Sequence, residues 1–253
     1  MLRSKILMLI ATLLVSIPAA ALQVSPTYQL FQLKPGDTMT GQMTLTNNEG
    51  ETITLRPSVK DWYLLNVNAD HKVNTWLHLD DTKEFTLKPG ESRLITYKIQ
   101  PQKKAKGELA GAVSFAHKAT ADGITMQLSV VQYAGLKGTE KLATEVAGLG
   151  INISSNTEVG VLLENTGNVH IRPRGYIYVE TPKGERILNV EIPISQPAFP
   201  GQQRPYAGTV KGFTLPPGNY VARFELTDTD RPVKYSLKPK KFSVDANGKV
   251  DVR

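Results

Sequence analysis

Histidines and acidic pairs are the residues of this chain whose types could support catalysis or metal binding. His71 and His78 share one polar connection, with neither the helical setting nor the spacing of a zinc motif. His117 alternates with apolar residues and is expected to face solvent, and His170 follows a polar turn. No nucleophile, base and acid form a hydrolase motif. The sequence therefore predicts no catalytic site, no metal site and no cofactor.

Two acidic pairs are candidates for a bound cation. Asp80 with Asp81, and Asp228 with Asp230, could hold calcium on a loop, but both pairs lack the glycine and glutamate spacing of an EF-hand. We interpret them as solvated turn carboxylates. A glycosidase would need two carboxylates across a cleft, and nothing singles out such a pair. The residues favour a binding or structural protein and not an enzyme.

Composition limits the classes of protein further. The chain has 253 residues, 30 Lys and Arg, 23 Asp and Glu, a formal net charge of +7 and no cysteine. The absence of cysteine excludes a disulfide scaffold, a thiolate metal site and a thiol nucleophile. A hydrophobic content of 40% is enough for a core, which excludes a largely disordered chain.

The first 21 residues have the pattern of a signal peptide. Arg3 and Lys5 precede an apolar run from Ile6 to Ile17, and Pro18 and Ala19–Ala21 follow it. The apolar run is too short to span a bilayer as a helix. We expect cleavage after Ala21 and a mature protein that is soluble in a periplasm or outside the cell, where a nucleic-acid partner is not expected.

Strand signals dominate the mature chain, and turn residues separate them at short intervals. The predicted strands are Met39–Thr46, Thr52–Val59, Leu94–Ile99, Gly111–His117, Ile124–Tyr133, Glu158–Glu164, Gly175–Glu180, Tyr206–Lys211, Tyr220–Thr227 and Lys240–Val244. No stretch shows a convincing helical period. This pattern predicts an all-β protein of sandwich or barrel type.

The chain also contains an internal repeat. Met43–Val59 and Val161–Ile177 each combine an apolar strand, an asparagine in a polar turn (Asn47 and Asn165) and a returning Arg-Pro. A Pro-Gly turn follows later in each half. We therefore predict two tandem immunoglobulin-like β-sandwich domains. The expected segments are a signal peptide (1–21), a first domain (22–138), a linker (139–150), a second domain (151–246) and a polar tail (247–253).

In the first half, an ordered set of short segments resembles the N-terminal immunoglobulin-like domain of periplasmic pilus-assembly chaperones, the PapD-like family. The segments are Leu22–Pro26, Leu33–Gly36, Met43–Asn48, Val59–Trp62, Trp76–Leu77, Phe85–Ser92, Thr96–Ile99, Gly107–Glu108 and Gly111–Phe115. The two-domain layout, with the phrase Phe213–Phe224, also resembles WxL-interacting cell-surface proteins. Those proteins generally carry a C-terminal membrane anchor, which is not evident here.

The chaperone resemblance implies that the last strand of the first domain pairs with an unfinished subunit. The matching segment here is Ile124–Ala134, with candidate partner contacts at Met126, Leu128, Val130, Val131, Gln132 and Tyr133. It also implies a contact to the subunit's carboxylate, held in the family by an arginine and a lysine. Tyr28 stands near the arginine's place. On this interpretation, a lysine at Val130 or Val131 would abolish partner capture without unfolding.

The leading hypothesis is an exported, non-enzymatic protein-binding factor that assists assembly of surface or pilus-type subunits by edge-strand pairing. The alternative is a cell-surface or polysaccharide-binding adhesion module, with Trp76 and Tyr63 as glycan contacts. Trp76 lies in a polar connection, which favours exposure, whereas Trp62 follows an alternating strand and is expected in the first core.

Overall fold

The structure is a computed structural model, and it describes residues 22–62, 71–118 and 125–253. The signal peptide predicted over residues 1–21 lies outside these ranges. The described residues form 17 β-strands and one short 3₁₀ helix, Val73–Thr75. Within them, no helix has the length and apolar character needed to cross a membrane. The predicted all-β class is confirmed.

The first sandwich contains nine strands. They are β1 (Leu22–Ser25), β2 (Tyr28–Leu33), β3 (Met39–Asn47), β4 (Ile53–Asp61), β5 (Leu77–Leu79), β6 (Phe85–Leu87), β7 (Ser92–Ile99), β8 (Glu108–Lys118) and β9 (Thr125–Leu136). One sheet has the order β1-β3-β7-β5 and the other has the order β2-β9-β8-β4-β6. The chain therefore changes sheets between β1 and β2.

The second sandwich contains the remaining eight strands. They are β10 (Thr144–Ile153), β11 (Thr157–Asn165), β12 (Pro173–Glu180), β13 (Arg186–Ile192), β14 (Gln203–Val210), β15 (Gly218–Asp228), β16 (Lys240–Val244) and β17 (Val250–Val252). The sheets have the orders β10-β11-β14 and β13-β12-β15-β16-β17. Each sandwich encloses its own apolar core, because inward-facing residues alternate with outward-facing ones along the strands.

The secondary structure differs from the expected segments at two places. β10 begins at Thr144 and pairs with β11, so much of the segment expected as a linker (139–150) is a strand of the second sandwich. The expected polar tail contains β17, which pairs with β16. Between Leu136 and Thr144, the last strand of the first sandwich and the first strand of the second are separated by a short connection. The domain boundaries themselves stay a prediction.

The repeated asparagine has the same role in both sandwiches. In the first sandwich, the side-chain nitrogen of Asn47 donates to the carbonyls of Glu51 (2.8 Å) and Leu87 (2.9 Å). Its side-chain oxygen accepts from the backbone N–H of Glu49 at 2.9 Å. The N–H of Gly90, in the Pro-Gly turn, donates to the Asn47 carbonyl at 2.7 Å. The asparagine thus ties a tight turn to a later strand and turn.

The second sandwich reproduces each of these contacts. Asn165 donates to the carbonyls of Val169 (2.8 Å) and Ala198 (2.9 Å), and its side-chain oxygen accepts from the N–H of Gly167 at 3.0 Å. The N–H of Gly201 donates to the Asn165 carbonyl at 2.8 Å. Both asparagine side chains are fully buried. The internal repeat in the sequence therefore corresponds to the same set of asparagine-centred hydrogen bonds, formed once in each sandwich.

Candidate functional site

β9 is paired on both sides along only half of its length. β8 pairs with β9 in antiparallel fashion along the strand, starting from Thr125. β2 pairs with β9 in parallel on the other side, but only from Val131 to Leu136. The preceding strand, β1, pairs with β3 in the opposite sheet. Among the described residues, no strand covers residues 125–130 on this side, and we call this half of β9 the open edge.

A mainly apolar groove of about 320 Å³ lies between β1 and the open edge. Leu22, Phe115, Met126 and Leu128 contribute to its walls, with the polar side chain of Glu49 beside them. Met126 is 49% exposed, which is unusual for a large apolar side chain, and Leu128 is half-buried. The groove and the open edge together could accept an extended strand that carries an apolar side chain.

The candidate contacts predicted on β9 separate into two groups. Met126 and Leu128 lie at the open edge and remain accessible. Val130 is fully buried in the core of the first sandwich. The side chains of Val131, Gln132 and Tyr133 are also buried, and here β2 pairs along the strand. The expectation that a lysine at Val130 or Val131 leaves the fold intact therefore does not agree with the structure.

Gln132 has a structural partner inside the sandwich. The hydroxyl of Tyr97, on the facing sheet, donates to the Gln132 side-chain oxygen at 2.7 Å and also contacts Gln29. Burial raises the pKa of Tyr97, so the phenol stays neutral and keeps its proton to donate. The side-chain nitrogen of Gln132 donates to the Val130 carbonyl at 3.2 Å. Gln132 thus links the two sheets.

Replacing Gln132 by leucine is expected to lower the free energy of unfolding by about 1–2 kcal/mol, because the Tyr97 hydroxyl loses a buried acceptor. The double variant Gln132→Leu/Tyr97→Phe should recover part of that loss, since both members of the pair are then apolar. Urea denaturation of the two single variants and the double variant measures the coupling. Strictly additive losses would contradict a direct interaction.

Tyr28 lies where the resemblance places a carboxylate contact, but its hydroxyl already has a partner. It donates to Asp230 Oδ1, in the second sandwich, at 3.1 Å. The Arg172 guanidinium lies 5.1 Å from the centre of the Tyr28 ring. Burial and the neighbouring Asp230 carboxylate raise the pKa of Tyr28. The carboxylate that Tyr28 binds in this structure belongs to the same chain.

The structure does not support Trp76 as a glycan contact. Trp76 is fully buried, and its ring nitrogen donates to the His71 carbonyl at 3.2 Å. Trp62, which was expected in the core, is instead 39% exposed. The expectations for the two tryptophans were therefore wrong in opposite directions. Tyr63 lies outside the described residues.

A buried cluster of charged residues joins the two sandwiches, and we call it the inter-sandwich cluster. It consists of Glu108, His170, Arg172, Asp228, Asp230 and Arg231. Glu108 comes from β8, and the other five come from the second sandwich. His170 Nδ1 lies 2.6 Å from Glu108 Oε1, and its Nε2 lies 2.9 Å from Asp230 Oδ2.

The arginines of the cluster compensate the carboxylates. Arg231 Nη2 donates to Glu108, and its Nη1 donates to the His170 carbonyl at 3.0 Å. Arg172 Nε lies 3.4 Å from Asp230 Oδ2. Asp228 accepts a hydrogen bond from the buried Tyr235 hydroxyl. Each buried charge therefore has a partner of opposite sign or a hydrogen bond, which such burial requires.

Sequence reasoning did not find this cluster, although its residues were noticed singly. Asp228 and Asp230 were interpreted as solvated turn carboxylates, but both are withdrawn from solvent between the sandwiches. His117, expected to face solvent, is also buried and lies 3.3 Å from the Thr54 carbonyl. The available signal was that His-x-Arg and Asp-x-Asp-Arg occur in one domain. Their partner Glu108 lies too far away in sequence to be recognised. Within the described ranges, no group of three or more His, Asp or Glu side chains is arranged so that it could hold a metal ion.

Comparisons with known proteins give similarities at the level of structure alone. No family model matches the chain, and a search of curated proteins finds no match. The chain is similar to the CupB2 chaperone of Pseudomonas aeruginosa (6% identity, 88% of this chain and 95% of that chain, TM-score 0.43). It is also similar to the E. coli chaperone DraB (12% identity, 89% of this chain and 96% of that chain, TM-score 0.42).

A third similar structure is a chain of the CsuC–CsuE chaperone–tip adhesion subunit complex from archaic Csu pili of Acinetobacter baumannii (12% identity, 92% of this chain and 97% of that chain, TM-score 0.41). All three are structures of chaperones or of a complex that contains one.

Proposed function

We propose that the protein is an exported, non-enzymatic assembly factor that binds a protein subunit of a surface or pilus-type structure through the open edge of β9. The observation that carries this proposal is the half-paired β9: β2 covers Val131–Leu136, and among the described residues no second strand lies beside residues 125–130. The same activity is implied by the sequence resemblance to periplasmic pilus-assembly chaperones.

The open edge has the properties that strand addition needs. Unpaired backbone groups at a sheet edge form hydrogen bonds with an added strand, and neighbouring pockets select its side chains. Here the groove beside Met126 and Leu128 supplies an apolar pocket next to the edge. An extended segment of a subunit could pair with the edge and insert an apolar side chain beside Met126.

Replacing Met126 by lysine is expected to reduce partner capture at least about tenfold, because a charged side chain would stand in the apolar groove. The fold should survive, since Met126 is 49% exposed. The measurement is affinity capture of the tagged mature protein, crosslinked in its native envelope, with partners identified by mass spectrometry. Leu94→Lys is the matched control, because Leu94 is an exposed apolar residue on β7, away from the groove.

The position of the contact is tested by a photo-crosslinking amino acid at Gln127, which is exposed on the open edge. One dominant secreted subunit should crosslink there, and the Met126→Lys background should abolish the product. Capture that is unchanged in Met126→Lys, or lost equally in Leu94→Lys, would contradict binding at the open edge. Co-purification of wall glycan without a protein partner would replace the proposal with the adhesion alternative.

A further inference from the structure

His170 lies between two carboxylates, one within hydrogen-bond distance of each ring nitrogen. Its Nδ1 lies 2.6 Å from Glu108 Oε1, and its Nε2 lies 2.9 Å from Asp230 Oδ2. Ionised carboxylates only accept hydrogen bonds, and a neutral imidazole has one N–H and one lone pair. A neutral His170 would therefore point a lone pair at one of the two carboxylates. With both carboxylates ionised, only the imidazolium satisfies both contacts.

Aromatic rings and the charges of the cluster surround His170, and the balance of those charges favours the same state. The Tyr133 ring on β9 stacks on the imidazole at 4.2 Å, and Phe199 packs nearby. With His170 protonated, the inter-sandwich cluster has three positive and three negative charges. Loss of the proton leaves one uncompensated negative charge in a buried site, which is unfavourable.

The direction of the pKa shift agrees with this geometry. Burial alone would lower the pKa of His170, but the hydrogen bonds to Asp230 and Glu108, with the Glu108 charge, raise it above the ordinary 6.5. The stabilising contribution of the imidazolium is therefore complete below 6.5 and is lost as pH rises through the higher folded-state pKa. Burial would raise the pKa of Asp230 above the ordinary 3.8, but the His170 hydrogen bond and the Arg172 charge outweigh burial and lower this pKa, so the Asp230 carboxylate stays ionised where His170 titrates.

The cluster also lies where it can control the orientation of the sandwiches. Glu108 begins β8 of the first sandwich, and His170 and Asp230 belong to the second. The Glu108 N–H also donates to the Asn168 carbonyl at 3.0 Å, and Tyr28 reaches Asp230 from β2. We propose that His170 is a pH-operated clasp: when protonated it bridges Glu108 to Asp230 and holds the two sandwiches in one orientation, and when deprotonated it lets that orientation loosen.

The test is a distance measurement between the sandwiches in the full mature chain as a function of pH. The chain has no cysteine, so Thr86→Cys and Lys211→Cys, at exposed positions of the two sandwiches, can carry spin labels without further substitution. Pulsed electron paramagnetic resonance from about pH 5.5 to about pH 9, below the range in which exposed lysines titrate, should show one narrow distance distribution that broadens in a single transition. The expected midpoint lies above 6.5.

Two variants assign the transition to the clasp. His170→Gln should give the broad, alkaline distribution at every pH, and the control His78→Gln, at an exposed position on β5, should behave as the wild type. Asp230→Asn keeps the size of the side chain but removes one carboxylate charge, so the midpoint should fall toward 6.5. A purely structural role of Asp230 would not move the midpoint.

The proposal does not depend on any one variant folding. A wild-type distribution that does not change over the whole pH range overturns it. A transition that persists in a folded His170→Gln, or a midpoint that Asp230→Asn leaves unchanged, also overturns it. Circular dichroism at each pH shows that the strands stay intact, and unfolding that accompanies the change in distance would likewise count against a clasp.

Discussion

Replacing Asn165 by alanine is expected to lower the free energy of unfolding by about 2–4 kcal/mol. The substitution removes both donors that satisfy the buried carbonyls of Val169 and Ala198 and also the acceptor of the Gly167 N–H. A buried polar group left without a partner costs about 1–3 kcal/mol. Because the side chain is fully buried, water cannot easily replace it.

Asn47→Ala should produce a loss of the same size, because the two asparagines make equivalent contacts. Asn48→Ala is the matched control: this exposed neighbour bonds only another exposed side chain, that of Gln23, among the contacts described for it. Its expected change is within about 0.5 kcal/mol. Urea denaturation of the three variants measures the differences. Losses below about 1 kcal/mol for both Asn47→Ala and Asn165→Ala would contradict this account.

The duplicated turn could be predicted from the sequence because some of each asparagine's contacts are made to residues within four positions of it. The asparagine, the turn residues and the returning strand follow each other within a few positions, so their types and order are visible in one segment. The second carbonyl partner, at Leu87 or Ala198, lies on a remote segment. The sequence showed that the motif is repeated, but it did not show that each asparagine ties two distant segments together.

The burial of Trp76 could not be predicted, because it depends on a partner strand. A 3₁₀ turn, Val73–Thr75, precedes Trp76, whose ring packs over β8. A Cβ at Gly111 would lie 2.9 Å from the Trp76 ring, so glycine at this position makes the space that the indole fills. The local sequence around Trp76 is polar and carries no sign of that space.

For β9, the alternation of side chains in the sequence predicts which residues share a face, but it does not predict which part of the strand is an open edge. Period-two alternation shows which residues share a face. It does not show which residues have a neighbouring strand, and here that neighbour is β2, whose residues precede their partners by just over a hundred positions. The parallel register of Tyr28 with Val131 divides β9 into a covered half and an open half. For this reason, six candidate contacts were predicted where two stay accessible.

Replacing Val130 by lysine is expected to unfold the first sandwich or to destabilise it by more than about 4 kcal/mol. Val130 is fully buried in the first core, opposite Val113 on β8. A lysine there would bury an unpaired ammonium or lose its proton, and both outcomes are costly. Val130→Ala, by comparison, should cost only about 1–3 kcal/mol and keep the fold.

The contrast between Val130→Lys and Met126→Lys tests where β9 stops being core and becomes an edge. The two positions share one face of the strand and differ by four residues. Circular dichroism and urea denaturation should show a folded Met126→Lys and an unfolded or strongly destabilised Val130→Lys. If Val130→Lys were as stable as the wild type and had lost partner capture, Val130 would belong to the contact surface. The open edge would then extend further along β9 than the pairing with β2 indicates.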